Sequence, residues 1–82
     1  MASFMTTPAE IDPALGRALR ALREQQGLSQ EDFAHKAGIT TSALSRIERG
    51  ASNPTWSTIT SILAALDASL RDLEAAIERV HR

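Results

Sequence analysis

The sequence predicts an all-α fold, a compact bundle of five helices, on three observations. Apolar residues recur three and four apart in successive segments, the spacing of one buried helix face. The segments are bounded by residues suited to helix ends, with Ser29, Thr40, Thr55 and Ser69 able to cap starts and Gly27, Gly38 and Gly50 able to end helices. Length and composition agree, since 82 residues with 43% hydrophobic and 23% charged side chains describe one small globular domain.

Several classes are excluded before any motif is considered. Without cysteine there is neither a disulfide nor a Cys-based zinc site, which favours an intracellular protein. No stretch of about 18 successive apolar residues spans a membrane, and residues 1–13 lack the basic-then-apolar order of a signal peptide. The net charge of -1 conceals a division. Residues 14–50 carry six basic and four acidic side chains, whereas the flanking segments are both net acidic. A pI near 6.1 is low for a nucleic-acid-binding domain, so local placement of charge has to carry that argument.

In chain order, residues 1–11 show no helical or strand period and read as a flexible N-terminal arm, with the domain proper over 12–82. The arm has no Lys or Arg with which to follow a DNA groove. The first helix starts with Asp12 as N-cap and Pro13 at its first position, presents Leu15, Ala18, Leu19 and Leu22 inward, and stops at Gly27. Gly16 is costly inside a helix, by about 1 kcal/mol against Ala, and marks a place where another backbone comes close. Arg17, Arg20 and Arg23 sit around the apolar face.

Leu28 plugs the core between the first two helices. The second runs from about Gln30 to Ala37, with Phe33, Ala34 and Ala37 buried and Gly38 ending it. Gln30 lies in its first turn, where amides and the helix dipole favour a phosphate. His35 has no second ligand at metal-binding spacing, so no metal or cofactor is expected. The third helix, about Thr41 to Arg49, turns Leu44 and Ile47 inward and presents Thr41, Ser42, Ser45, Arg46 and Arg49 on the other side. Small side chains let that helix sit close to a surface. Arg46 adds reach, and a major groove about 12 Å wide admits one helix whose Arg can donate twice to guanine.

Residues 50–54 form a loop in which Ser52 and Asn53 are potential phosphate donors together with Arg49 and the amides near Thr55; Ala51 offers none. The fourth helix, about Trp56 to Leu66, buries Ile59, Ile62, Leu63 and Leu66, and Trp56 is expected to pack against the core rather than stack on a base. In the fifth helix, about 70–81, Ser69 caps and Asp72 favours the positive end. Leu70 and Leu73 close the core, and Ile77 and Val80 continue the seam towards a second subunit, so that Leu73, Ile77 and Val80 are the candidate homodimer interface.

From Leu19 to Leu73, about two thirds of the chain, the sequence resembles the Cro/C1-type (XRE-like) helix-turn-helix DNA-binding family. The marks are Arg23 before Gly27, Leu28, Ser29 and Gln30, then Ala34, Gly38, Ile39, the stretch from Ser45 to Glu48, Gly50 and Pro54. The resemblance implies a lambda-repressor-like five-helix domain, with helix two over the DNA backbone and helix three in the major groove. It makes Gln30 a phosphate contact, Thr41, Ser42 and Arg46 readers of base edges with Ser45 on the same surface, and Arg23 with Glu48 a structural ion pair. Asp67 and Ala68 stand where the family has glycine and valine, so the sequence departs from its pattern at the turn that sets the angle of the last helix.

The function implied is a transcription regulator, of repressor or restriction-modification controller type, that binds double-stranded DNA as a homodimer on a roughly palindromic operator in a bacterial or phage-infected cytoplasm. The acidic Glu31 and Asp32 offer a surface for RNA polymerase. The alternative is an antitoxin-like module that masks a partner toxin and autoregulates its operon, which co-purification with that partner would distinguish. An enzyme has little to work with: two histidines, no cysteine and no Gly-rich phosphate loop.

Overall fold

The computed structural model describes residues 13–81, in which all regular structure is helical: α1 (Pro13–Gln25), α2 (Gln30–Ala37), α3 (Thr41–Glu48), α4 (Trp56–Leu66) and α5 (Leu70–His81). The arm over 1–11, the Asp12 cap and Arg82 lie outside the described residues. The expected boundaries of the other helix ends hold to within a residue or two.

Local chemistry accounts for the boundaries. Ser29 Oγ accepts the Asp32 amide at 3.0 Å, Thr40 Oγ1 that of Ala43 at 3.0 Å and Thr55 Oγ1 that of Thr58 at 3.1 Å. Ser69 and Asp72 cap reciprocally: the Ser69 amide donates to Asp72 Oδ2 at 2.8 Å, and the Asp72 amide donates to Ser69 Oγ at 3.1 Å. The C-terminal ends close with paired backbone bonds. After α4 these are Asp67 N–H to the Ala64 carbonyl at 3.1 Å and Ala68 N–H to that of Leu63 at 2.9 Å. Asp67 takes the left-handed conformation (φ 53) there, so the turn keeps the form a glycine would give it, at a backbone cost.

The core gathers Phe33, Leu19, Leu44, Ile62 and Leu66 at its centre. Its spine is α1, which packs along α5 on one side and against α3 on another, while α2 contacts α3 and α4. Gly16 sits at the α1–α3 crossing. A Cβ on Gly16 would overlap the Ile47 carbonyl oxygen and lie 2.9 Å from that of Glu48, so the close backbone approach foreseen for this glycine is real.

Two core assignments require correction. Trp56 is 62% exposed and Leu70 53% exposed. Each shares a stripe with buried residues further along its helix, but each is the first residue of that helix. Side chains lean towards the helix N-terminus, so both project past the bundle. Leu73, in contrast, is buried within the subunit, as is Ala76, and Ile77 and Val80 are half-buried against the same core. Leu73 is therefore already used by its own subunit and has little surface left for another.

Candidate nucleic-acid interface

On α3, Thr41, Ser42 and Arg46 are exposed and Ser45 is half-buried, while Leu44, Ile47 and Glu48 are buried on the opposite side. The spacing of 42, 45, 46 and 49 places one stripe along the helix. Arg46 Nη1 donates to Ser42 Oγ at 3.3 Å, which leans the guanidinium back along that stripe. Arg49 is exposed at the C-cap, where its backbone turns towards the loop.

Behind the exposed face is a buried polar network. Arg23 and Glu48 meet with two bonds, Nε to Oε2 at 2.7 Å and Nη2 to Oε1 at 3.0 Å. Arg23 Nη1 also donates to the Leu28 carbonyl at 2.7 Å. The hydrogen bond to Glu48, and then its negative charge, hold the guanidinium above its ordinary pKa against the opposing effect of burial, with Glu24 adding a little. Every buried side-chain polar atom among the described residues has a partner, which is the condition for such a network to rigidify rather than destabilise. Arg23 thereby joins the end of α1 and the turn after it to the end of α3.

Gln30 enters the same network. Its Nε2 donates to Glu48 Oε1 at 2.9 Å, a link between positions 18 apart for which periodicity gives no signal. An amide nitrogen has two hydrogens, so one remains for an outside acceptor. In the loop, Ser52 is half-buried and Asn53 exposed. The Thr55 hydroxyl is committed, accepting the Thr58 amide and donating to Thr58 Oγ1 at 3.0 Å, so at this position only backbone N–H groups are available to a phosphate. A further contact missed from sequence is Gln26 Nε2 to the Leu66 carbonyl at 2.7 Å, which ties the end of α1 to the end of α4.

No group of three His, Asp or Glu among the described residues could hold a metal ion. None of the described helices is long and apolar enough to cross a membrane.

Two short helices, α2 and α3, joined by a left-handed Gly38 turn and locked through Glu48, define a helix-turn-helix unit that exposes one polar, basic helix face. Residues 14–76 match the family model described as a helix-turn-helix domain, and the chain belongs to that family, in its Cro/C1-type, XRE-like branch. The HTH-type transcriptional regulator PuuR of Escherichia coli K12 is 38% identical over 66 residues, covering 80% of this chain and 36% of that regulator. This chain thus spans little more than a third of that relative's length. The restriction-modification controller protein C.AhdI of Aeromonas hydrophila superposes with a TM-score of 0.72 at 38% identity, over 74% of this chain and 92% of the controller. The clp gene regulator ClgR of Corynebacterium glutamicum superposes at 0.76 with 30% identity, over 80% of this chain and 85% of that one. By their names, the first of these is a transcriptional regulator, the second a controller protein and the third a gene regulator.

Proposed function

We propose that this chain is a sequence-specific regulator of transcription that binds double-stranded DNA as a homodimer, on a roughly palindromic operator with half-sites about one helical turn apart. The observation that carries the reading is the division of α3: a polar, basic face left open and an opposite face fixed by the Arg23–Glu48 pair. In the major groove Arg46 donates to guanine O6 and N7, and Thr41, Ser42 and Ser45 allow close approach. The spare N–H of Gln30, with Arg49, Ser52, Asn53 and the amides after Thr55, grips phosphates and sets the register.

The likeness to a restriction-modification controller supports the controller or repressor type, working in the cytoplasm of a bacterium or an infected cell. The dimer forms along α5, with the exposed Leu70 as its anchor and Ile77 and Val80 contributing their uncovered halves. The domain occupies 12–82, preceded by an arm over 1–11. Glu31 and Asp32, exposed on α2, are the surface offered to RNA polymerase.

The test uses a duplex selected by the protein from a random-sequence library. Arg46→Ala is expected to lose about 1–3 kcal/mol of discrimination against a scrambled duplex while its helical circular dichroism is unchanged. Unaltered discrimination would remove Arg46 from base readout. Leu70→Asp is expected to give a monomer by sedimentation without unfolding, because Leu70 is already exposed; a persistent dimer would place the interface elsewhere.

A further inference from the structure

The geometry points to Trp56 as a DNA-backbone contact, its indole ring lying against the sugar and its N–H donating to a phosphate. This rests on the DNA-binding reading above and extends it to a residue that neither the family resemblance nor helical periodicity marks out.

Three observations carry it. First, among the described residues Trp56 is one of two exposed large hydrophobic side chains, at 62%, and its indole N–H has no acceptor there. A ring that is apolar on its faces and polar at one edge suits a boundary between sugar and phosphate. Second, it is continuous with the proposed grip. Trp56 opens α4 directly after its cap Thr55, within four residues of Ser52 and Asn53. Third, the electrostatic setting fits an anionic partner. From Arg49 to Leu66 the chain carries one charged side chain, Arg49 itself, and no carboxylate. The exposed neighbours of Trp56 are Thr55, Ser57 and Thr60. With so little positive charge on this flank, contact there falls to neutral donors, and the indole is the largest of them.

A second copy of the chain fits the ring less well. Among the described residues the other exposed large hydrophobic side chain, Leu70, lies beyond the far end of α4, an 11-residue helix about 16 Å long. An isolated aromatic among hydroxyls lacks the contiguous apolar centre of a protein interface.

Trp56 is the sole tryptophan, so fluorescence reports on it alone. On titrating the full chain with the library-selected duplex, its emission is expected to shift to the blue and acrylamide quenching to fall. Trp56→Ala is expected to weaken binding about tenfold, and Trp56→Phe to recover part of that loss by restoring a ring without the N–H. The slope of log K against log salt should be the same in all three proteins, because an indole releases no counterion. The inference is overturned if a labelled duplex binds while Trp56 emission and quenching stay constant, an arm that needs no variant to fold. It is also overturned if quenching falls with protein concentration alone, which would mean that a second copy covers the ring. Absence of any duplex binding would instead sink the DNA-binding reading itself.

Discussion

Gly16→Ala tests how the reading helix is seated. In an open helix the change would stabilise by about 1 kcal/mol, since Ala is the better helix former. Here the added methyl overlaps the Ile47 carbonyl and comes within 2.9 Å of the Glu48 carbonyl, both backbone atoms at the end of α3. An unstrained carbon-to-oxygen approach is about 3.3 Å or more, so α1 and α3 have to separate, and no flexible side chain can yield in their place. Overpacking of this kind costs about 1–3 kcal/mol, and the rigid neighbours put this site towards the upper end. Set against the gain in propensity, the net loss is about 1–2 kcal/mol. For a domain of this size that corresponds to a fall in Tm of roughly 5–15 °C. Arg23 lies two helical turns further along the same face of α1, so the separation also stretches its bonds to Glu48, and DNA affinity should fall even at temperatures where the variant is folded. Urea and thermal unfolding measure the first effect and duplex titration the second. A variant more stable than the parent would refute the tight crossing.

Glu48→Ala leaves the Arg23 guanidinium buried without its carboxylate and should cost about 3–5 kcal/mol in urea unfolding, whereas the pair Arg23→Met with Glu48→Met should restore most of that stability. A loss below about 1 kcal/mol for the single change would mean that the pair does not hold α3. Asp67→Gly relieves a left-handed aspartate and should raise stability by about 1 kcal/mol, read as a higher urea midpoint at constant slope; a decrease would show the side chain to be contributing there. Hydrogen bonds from the Ser69 amide and hydroxyl hold the Asp72 carboxyl below its ordinary pKa. Its stabilisation is thus complete above the unfolded pKa and lost as pH falls through the lower, folded value, and Asp72→Asn should flatten that part of the acid unfolding curve. Identical acid curves for the two proteins would remove the cap from the pH dependence.

The helices were legible because their ends are encoded locally. Ser29, Thr40, Thr55 and Ser69 each accept an amide three residues on, and a hydroxyl followed by an apolar period is readable without tertiary information. Gly16 was legible for a related reason, since a residue that weakens its own helix needs a compensating neighbour. Trp56 and Leu70 were misplaced because periodicity gives the direction in which a side chain leaves the helix but not whether the bundle extends that far. At a first helical residue these differ. The Gln30–Glu48 bond was invisible for another reason, as it depends on how α2 and α3 cross, and neither helix carries that information alone.

That bond changes how the candidate interface works. Gln30, proposed to hold phosphate, and Arg46, proposed to read bases, belong to different helices, and a useful reader needs a fixed distance between them. Glu48 supplies it, accepting from Gln30 through the same oxygen that accepts from Arg23. A carboxylate only accepts hydrogen bonds, so it also decides which end of the Gln30 amide faces inward and leaves an N–H, not a carbonyl, as the neighbouring free group. The protein is close to neutral overall, and two of its arginines, Arg20 and Arg23, are already paired with Glu24 and Glu48. Long-range attraction to DNA is correspondingly weak. Affinity then depends on donors held in place before DNA arrives, which lowers the ordering cost of each contact and makes the buried network part of the recognition surface although none of its charge is exposed.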